Sequence, residues 1–131
     1  MVDTEGLLLK PFVGEANYYD GTVGTWLLPE LKRRFPRLKK IWADGTYAGE
    51  FVDQAQNSYD IEVEITTRLS DQPGFQVIPR RWVVERTFAW FNNYRRLSKD
   101  YEYWVYTSDA MLYAASIHLM TRRLARLKLA A

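Results

Sequence analysis

Cysteine is missing altogether and histidine occurs once, as His118. The lack of thiols excludes disulfides and thiolate metal centres and fits a reducing compartment. A single imidazole excludes a histidine-built zinc cage. No apolar run approaches the roughly 18 residues that span a bilayer, and the start shows no basic-then-apolar signal pattern, so a cytoplasmic location without membrane partners is expected. Repeats and low-complexity tracts are absent as well. The few Pro and Gly residues mark loops within one unit rather than an interdomain linker. What is present is a 131-residue chain with 47% hydrophobic and 26% charged residues, which suits one globular domain spanning 1–131. Aromatics are plentiful: five Trp, nine Tyr and six Phe.

The net charge of +2 hides an uneven distribution. Residues 1–40 hold 7 basic and 5 acidic groups, 41–78 hold 1 and 7, and 79–131 hold 10 and 4. An acidic middle beside a basic C-terminal third suits cations held next to a polyanion; it equally suits a solvated face.

Hydrophobic periodicity orders the elements. Gly6 to Val13 reads as an apolar strand entered by a turn at Asp3. Asp20-Gly21 opens a helix using Val23, Trp26, Leu27, Leu31 and Phe35, which Pro36 ends. Leu38 to Ala43 is a short strand running into Asp44-Gly45, and Gly49 to Gln56 a short helix. Residues 61–65 alternate as a strand with one acidic face. A loop over 70–74 and an extended piece over 75–78 precede Pro79, which suits a first helical turn. A long helix is then expected from about Arg80 to Leu97. Another starts at Ser108-Asp109 and buries Met111, Leu112, Ala115, Leu119 and Leu124. This alternation predicts an α/β layer fold with parallel strand pairing, because parallel neighbours need a crossover. Trp26, Trp90 and Trp104 fall at core-like spacing and are expected to pack.

Asp44 follows a short apolar strand and precedes Gly45. Ligands of open α/β sheets gather beyond the carboxyl ends of strands, where an Asp can face the crevice. Asp-Gly is also an ordinary turn dipeptide. Glu85 stands out on helical projection: at about 100° per residue, Arg81, Asn92, Arg96 and Lys99 fall within roughly 40° of it. Val83, Thr87, Trp90, Tyr94 and Leu97 fall opposite, flanked by Val84 and Phe91. Arg81 and Glu85 equally make a plain i, i+4 pair. Two carboxylates from different elements, with oxygen ligands and no thiolates, suit Mg²⁺ or Mn²⁺ and two-metal phosphoryl chemistry. Arg81, Arg86, Asn92, Arg95, Arg96 and Lys99 are the candidate DNA-binding residues, and an exposed aromatic such as Trp82 suits stacking on an unpaired base. His118 and Asp109 read as structural.

Three stretches carry a resemblance: Ala43-Asp44-Gly45-Thr46-Tyr47-Ala48-Gly49, the run from Pro79 to Trp90, and Tyr94 to Glu102. They resemble insertion-sequence transposases of the four/five superfamily, DDE enzymes with an RNase H-like fold. The resemblance implies that Asp44 is the second catalytic, metal-binding carboxylate and Glu85 the third. It also implies that Arg81 belongs to the family's tyrosine-arginine-glutamate-lysine signature. Ile78 stands at the tyrosine position and Asn92 at the usual lysine or arginine, with Arg96 and Lys99 able to compensate.

The family's first catalytic Asp precedes the segment that begins here with Met1-Val2-Asp3-Thr4, and Asp3 resembles a later turn Asp. The resemblance therefore implies the C-terminal part of a catalytic domain, an RNase H-like core lacking its first strand. Its implied cofactor is Mg²⁺ or Mn²⁺. Its implied partners are DNA (insertion-sequence ends and target), an upstream transposase half and a second copy, in a bacterial, nucleoid-associated setting. The implied activity, when complete, is metal-dependent DNA strand cleavage and transfer. The alternative is a non-catalytic DNA-binding remnant or regulator of an intact transposase.

Overall fold

Leu28 and Leu31 have no exposed surface, and they lie one helical turn apart on the first helix, α1 (Asp20–Arg34). The computed structural model describes residues 1–15, 17–66, 81–99 and 101–129, with the Arg81 side chain outside that description. Within it the chain forms two compact units, Glu15–Trp82 and Met1–Gly14 with Val83–Ala131.

In the Glu15–Trp82 unit, α1 carries Asp20 in its first turn and Lys32, Arg33 and Arg34 in its last. Both ends thus complement the helix dipole. The helix stops at Phe35, before Pro36, and accommodates Pro29 in its interior. It packs on α2 (Glu50–Tyr59), which buries Phe51 and Ala55. Gly24 makes the approach close: a Cβ there would lie 2.8 Å from Cδ2 of Phe51. β1 (Lys40–Asp44) and β2 (Glu62–Thr66) pair in parallel, from Lys40 opposite Glu62 to Asp44 opposite Thr66. α2 is their crossover, as parallel pairing requires. Asp60, in the left-handed region at φ 52°, turns the chain from α2 toward β2. Ile41 and Ile61 complete the core. On the exposed side of the pair, Lys40 Nζ bridges Glu62 (2.7 Å) and Glu64 (2.9 Å).

In the other unit, residues 1–14 form turns with one antiparallel bridge, Val2 to Leu8. Asp3 organises them: its Oδ1 accepts from the N–H of Glu5 (2.9 Å) and of Leu7 (2.8 Å). The turn docks on α3 (Arg81–Asn92), where Thr87 Oγ1 donates to the Gly6 carbonyl at 2.8 Å. α3 buries Val83, Thr87 and Phe91. The long α4 (Val105–Leu129) buries Ala115 and Ser116, and its Arg123 stacks 4.3 Å from the centre of the Trp90 ring, with Arg86 at 4.8 Å.

The mixed helix content and the parallel strand pair agree with the α/β expectation. Helix α1, both strands, α2 and the turn at Asp3 fall where periodicity puts them, within a residue or three. Several details differ. Residues 6–13 form no strand beyond the single bridge at Leu8, because Asp3 and Gly6 hold them in turns. α3 ends at Asn92, not Leu97, and α4 starts at Val105, not Ser108. Trp26 and Trp104 are more than half exposed, so they are surface rings and not core; Trp90 is half-buried between two guanidinium groups. Leu124 is exposed as well, because the far part of α4 is little covered. The loop over 70–74, the extended piece over 75–78, Pro79 and the tyrosine-position Ile78 lie outside the described residues. No helix among the described residues is long and apolar enough to cross a membrane.

Candidate functional site

Asp44 is the last residue of β1, at the carboxyl end of a parallel strand. The chain turns there into a short 3₁₀ segment, Gly45–Tyr47, which Asp44 caps. Its Oδ1 accepts from the Thr46 N–H at 3.0 Å and from Thr46 Oγ1 at 2.5 Å. Both bonds fall on one oxygen, and Oδ2 takes none from any described residue. A carboxylate with one oxygen fixed by its own turn and the other open is pre-oriented for a ligand. The neighbouring strand end is fixed too, since Thr66 Oγ1 donates to the Ala43 carbonyl at 3.0 Å.

A second carboxylate approaches this turn. Asp20 opens α1, and a Cβ on the adjoining Gly21 would lie 3.3 Å from the Thr46 carbonyl oxygen. Tyr47 senses this neighbourhood. Burial pushes its hydroxyl above the ordinary tyrosine value, and the charges of Asp20 and then Asp44 push it further. Sequence reasoning treats Asp20 as a helix opener; the usable signal was the Asp20-Gly21 pair, whose second residue lets α1 sit against the Asp44 turn.

Glu85 is exposed on α3 and belongs to the Met1–Gly14 and Val83–Ala131 unit, whereas Asp44 belongs to the Glu15–Trp82 unit. α3 is anchored beside Glu85 by Thr87, which touches Gly6 and is 2% exposed. The candidate DNA-binding residues fall into distinct environments. Arg86 is half-buried: its Nη2 donates to the Glu5 carbonyl at 3.0 Å and its guanidinium covers Trp90. Asn92 is exposed at the helix end. Arg95, Arg96 and Lys99 are exposed in the turns that follow, so the helical projection aligning Arg96 and Lys99 with Glu85 does not apply. Arg96 Nε is 2.7 Å from Glu102 Oε1. His118 meets the Tyr94 hydroxyl at 3.0 Å, a contact within the unit.

Among the described residues no three His, Cys, Asp or Glu side chains are grouped to hold a metal. The donor chemistry nevertheless fits a hard cation: a carboxylate oxygen that no described residue engages, at a strand end, is the ligand type that Mg²⁺ and Mn²⁺ take.

These features define an α/β protein with an acidic site at the carboxyl end of a parallel strand pair. The chain belongs to the transposase DDE domain family, whose model matches residues 1–120. No curated protein and no solved structure matches the chain. The family makes a transposase function the frame for the site, and its members generally use divalent metal ions.

Proposed function

We propose that residues 1–131 are the C-terminal part of an RNase H-like transposase catalytic domain of the insertion-sequence-four/five type, acting on DNA with Mg²⁺ or Mn²⁺. The observation that carries this reading is the half-engaged Asp44 carboxylate at the end of β1, inside a chain matched to the family over residues 1–120. Asp44 and Glu85 are its two metal-holding carboxylates. The family's first carboxylate is expected on a strand outside residues 1–131, supplied by a preceding segment or by a separate upstream half. The bound cations would activate the attacking oxygen and stabilise the leaving oxygen at a DNA phosphodiester. The chain's own residues hold and orient. Thr46 fixes the Asp44 rotamer through two hydrogen bonds. Arg95 and Lys99, exposed beyond α3, offer charge to DNA phosphates. Asn92, exposed at the end of α3, and Arg81 are further DNA contacts in this reading, with Arg86 and Arg96 contributing where their contacts to Glu5 and Glu102 yield to phosphate.

A Mn²⁺ titration followed by backbone NMR tests this. The Gly45 and Thr46 amide signals should broaden in the native chain, and Asp44→Asn should abolish the effect. Asparagine keeps an oxygen for the Thr46 bonds, so the turn survives the substitution. Glu85→Gln should weaken binding as well. Broadening unchanged in both variants overturns the reading.

A second reading is a non-catalytic DNA-binding protein that regulates an intact transposase. The absence of a three-carboxylate group among the described residues favours it. DNA strand cleavage by the purified chain with Mn²⁺, well above a Glu85→Gln control, would exclude it.

A further inference from the structure

From the end of the α3–α4 connection into the first turn of α4 the chain places an unusual run of rings on the surface. Tyr103 is 89% exposed, Tyr106 67% and Trp104 56%, with Tyr101 and Val105 beside them. Exposing so much aromatic area is unfavourable unless something covers it, because each ring carries a large apolar surface. The rings are also ordered with respect to one another. Trp104 and Tyr106 stack with planes 20° apart and centroids 6.1 Å apart, and Tyr103 meets Trp104 edge-on at 4.9 Å.

The backbone beneath them is fixed. Trp104 precedes the first turn of α4, and its carbonyl accepts from the Thr107 N–H (3.0 Å), the Ser108 N–H (3.2 Å) and Thr107 Oγ1 (2.6 Å). The stack therefore stands at the start of a 25-residue helix. Cations lie close in sequence: Arg95 and Lys99 are exposed in the preceding turns, with no ion-pair partner among the described residues. The positive end of the α4 dipole adds to them.

We propose that Tyr103, Trp104 and Tyr106 form a stacking platform for unpaired DNA bases, with Arg95 and Lys99 holding the backbone phosphates of the same strand. Flat rings open to solvent beside unpaired cations are the elements with which proteins bind single strands without reading sequence. Protein interfaces are enriched in rings as well; what favours a nucleic-acid strand is that Arg95 and Lys99, close in sequence to the rings, are exposed with no ion-pair partner among the described residues. The inference rests on the chain's being a DNA-handling protein, and not on Asp44, Glu85 or a bound metal.

The test is fluorescence anisotropy of the full 131-residue chain in EDTA. The probes are a fluorescein-labelled thymidine oligonucleotide of about 12 nucleotides and a duplex of the same length. Replacing both Tyr103→Ala and Tyr106→Ala should weaken single-strand binding by about tenfold or more and leave duplex binding within about twofold. Tyr103→Phe with Tyr106→Phe keeps the rings and should bind as the native chain does. Photocrosslinking of the unmodified chain to a bromodeoxyuridine oligonucleotide should map to residues 101–106, whether or not the alanine variants fold. Equal losses on single strand and duplex, or crosslinks lying elsewhere, overturn the proposal. So does an alanine variant that alters the oligomeric state by light scattering while single-strand affinity holds, since the rings would then be a protein interface. EDTA removes divalent cations, so the binding read here does not depend on a metal held by Asp44 or Glu85. A failed Mn²⁺ titration alongside a positive crosslink would therefore sink the metal-site reading alone.

Discussion

Gly6→Ala should destabilise the protein more than the same change at Gly45 or Gly49, where an added Cβ meets nothing within 4 Å. Gly6 adopts φ +77°, a left-handed conformation that costs an L-residue roughly 1–2 kcal/mol. The added Cβ would also lie 2.8 Å from Thr87 Oγ1 and 3.0 Å from Trp90 Cζ3. Neither neighbour yields easily: Thr87 is tied to the Gly6 and Val83 carbonyls, and the Trp90 ring lies against the Arg86 and Arg123 guanidinium groups. Forcing atoms into such packing costs about 1–3 kcal/mol. Stiffening of the unfolded chain returns at most about 1 kcal/mol. The net loss is therefore about 1–4 kcal/mol, a sizeable share of the roughly 5–15 kcal/mol that holds a domain together. With a urea m-value of about 2 kcal/mol per molar, the midpoint falls by about 0.5–2 M, read by tryptophan fluorescence. In a Thr87→Ala background the steric part should shrink and leave a cost of about 1–2 kcal/mol from φ alone. A loss below about 0.5 kcal/mol, or an equal loss in both backgrounds, would refute the packing of this turn on α3, the helix that carries Glu85.

Leu31→Ala removes a side chain with no exposed surface and should cost about 2–5 kcal/mol in the same urea assay. Thr46→Val deletes the hydroxyl bond to Asp44 but keeps the N–H bond, so stability should fall by only about 0.5–1.5 kcal/mol. Mn²⁺ affinity should fall with it, and Thr46→Ser should restore both; an unchanged affinity in Thr46→Val would remove Thr46 from the site. Alkaline pH should destabilise through Tyr47. Its folded-state value is raised, chiefly by burial and then by Asp20 and Asp44, so its contribution is complete below the ordinary value of 10.0 and is lost as pH rises beyond it. Thermal melts between pH 9 and 12 should fall less steeply for Tyr47→Phe, and identical slopes would contradict the burial of that hydroxyl.

Much of the Glu15–Trp82 unit is legible from residue pattern because its signals are local. A helix bounded by Asp20 and Pro36 and a strand ending in Asp44-Gly45 need no distant partner to be recognised. The alternation of 61–65 is equally local, although its meaning is tertiary: Glu62 and Glu64 face outward because Lys40, on the neighbouring strand, bridges both. Legibility fails where long-range contacts override the pattern. Residues 6–13 look like a strand, but Thr87, remote in sequence, fixes the Gly6 carbonyl in a turn. The 83–97 pattern continues past the point where the helix stops, so periodicity places Arg96 and Lys99 on a face that does not exist. Trp26 and Trp104 have helical spacing too, and spacing cannot reveal that nothing described covers most of their surface. Asp20 was hidden for a similar reason: only the approach of Gly21 to Thr46 brings it to the Asp44 turn.

The acidic middle of the sequence looks at first like a cation-holding surface, and side-chain pairing removes three of its described carboxylates from that interpretation. Asp60 pairs with Lys39, while Glu62 and Glu64 pair with Lys40. Each lysine lies within the same unit, so these charges are largely neutralised where they stand. Glu50 and Asp53 occupy the first turn of α2, where the helix dipole favours them. Such surface pairs contribute little individually and are weakened by salt. Asp44 differs in kind: among the described residues an N–H and an O–H hold it, not a cation, and both use one oxygen. Neutral donors orient a carboxylate without cancelling its charge, so its attraction for a divalent ion is retained. Segment-wide charge counts are therefore a poor guide to this site, whereas a single carboxylate locked by its own turn at the end of a strand is the feature the proposed chemistry requires.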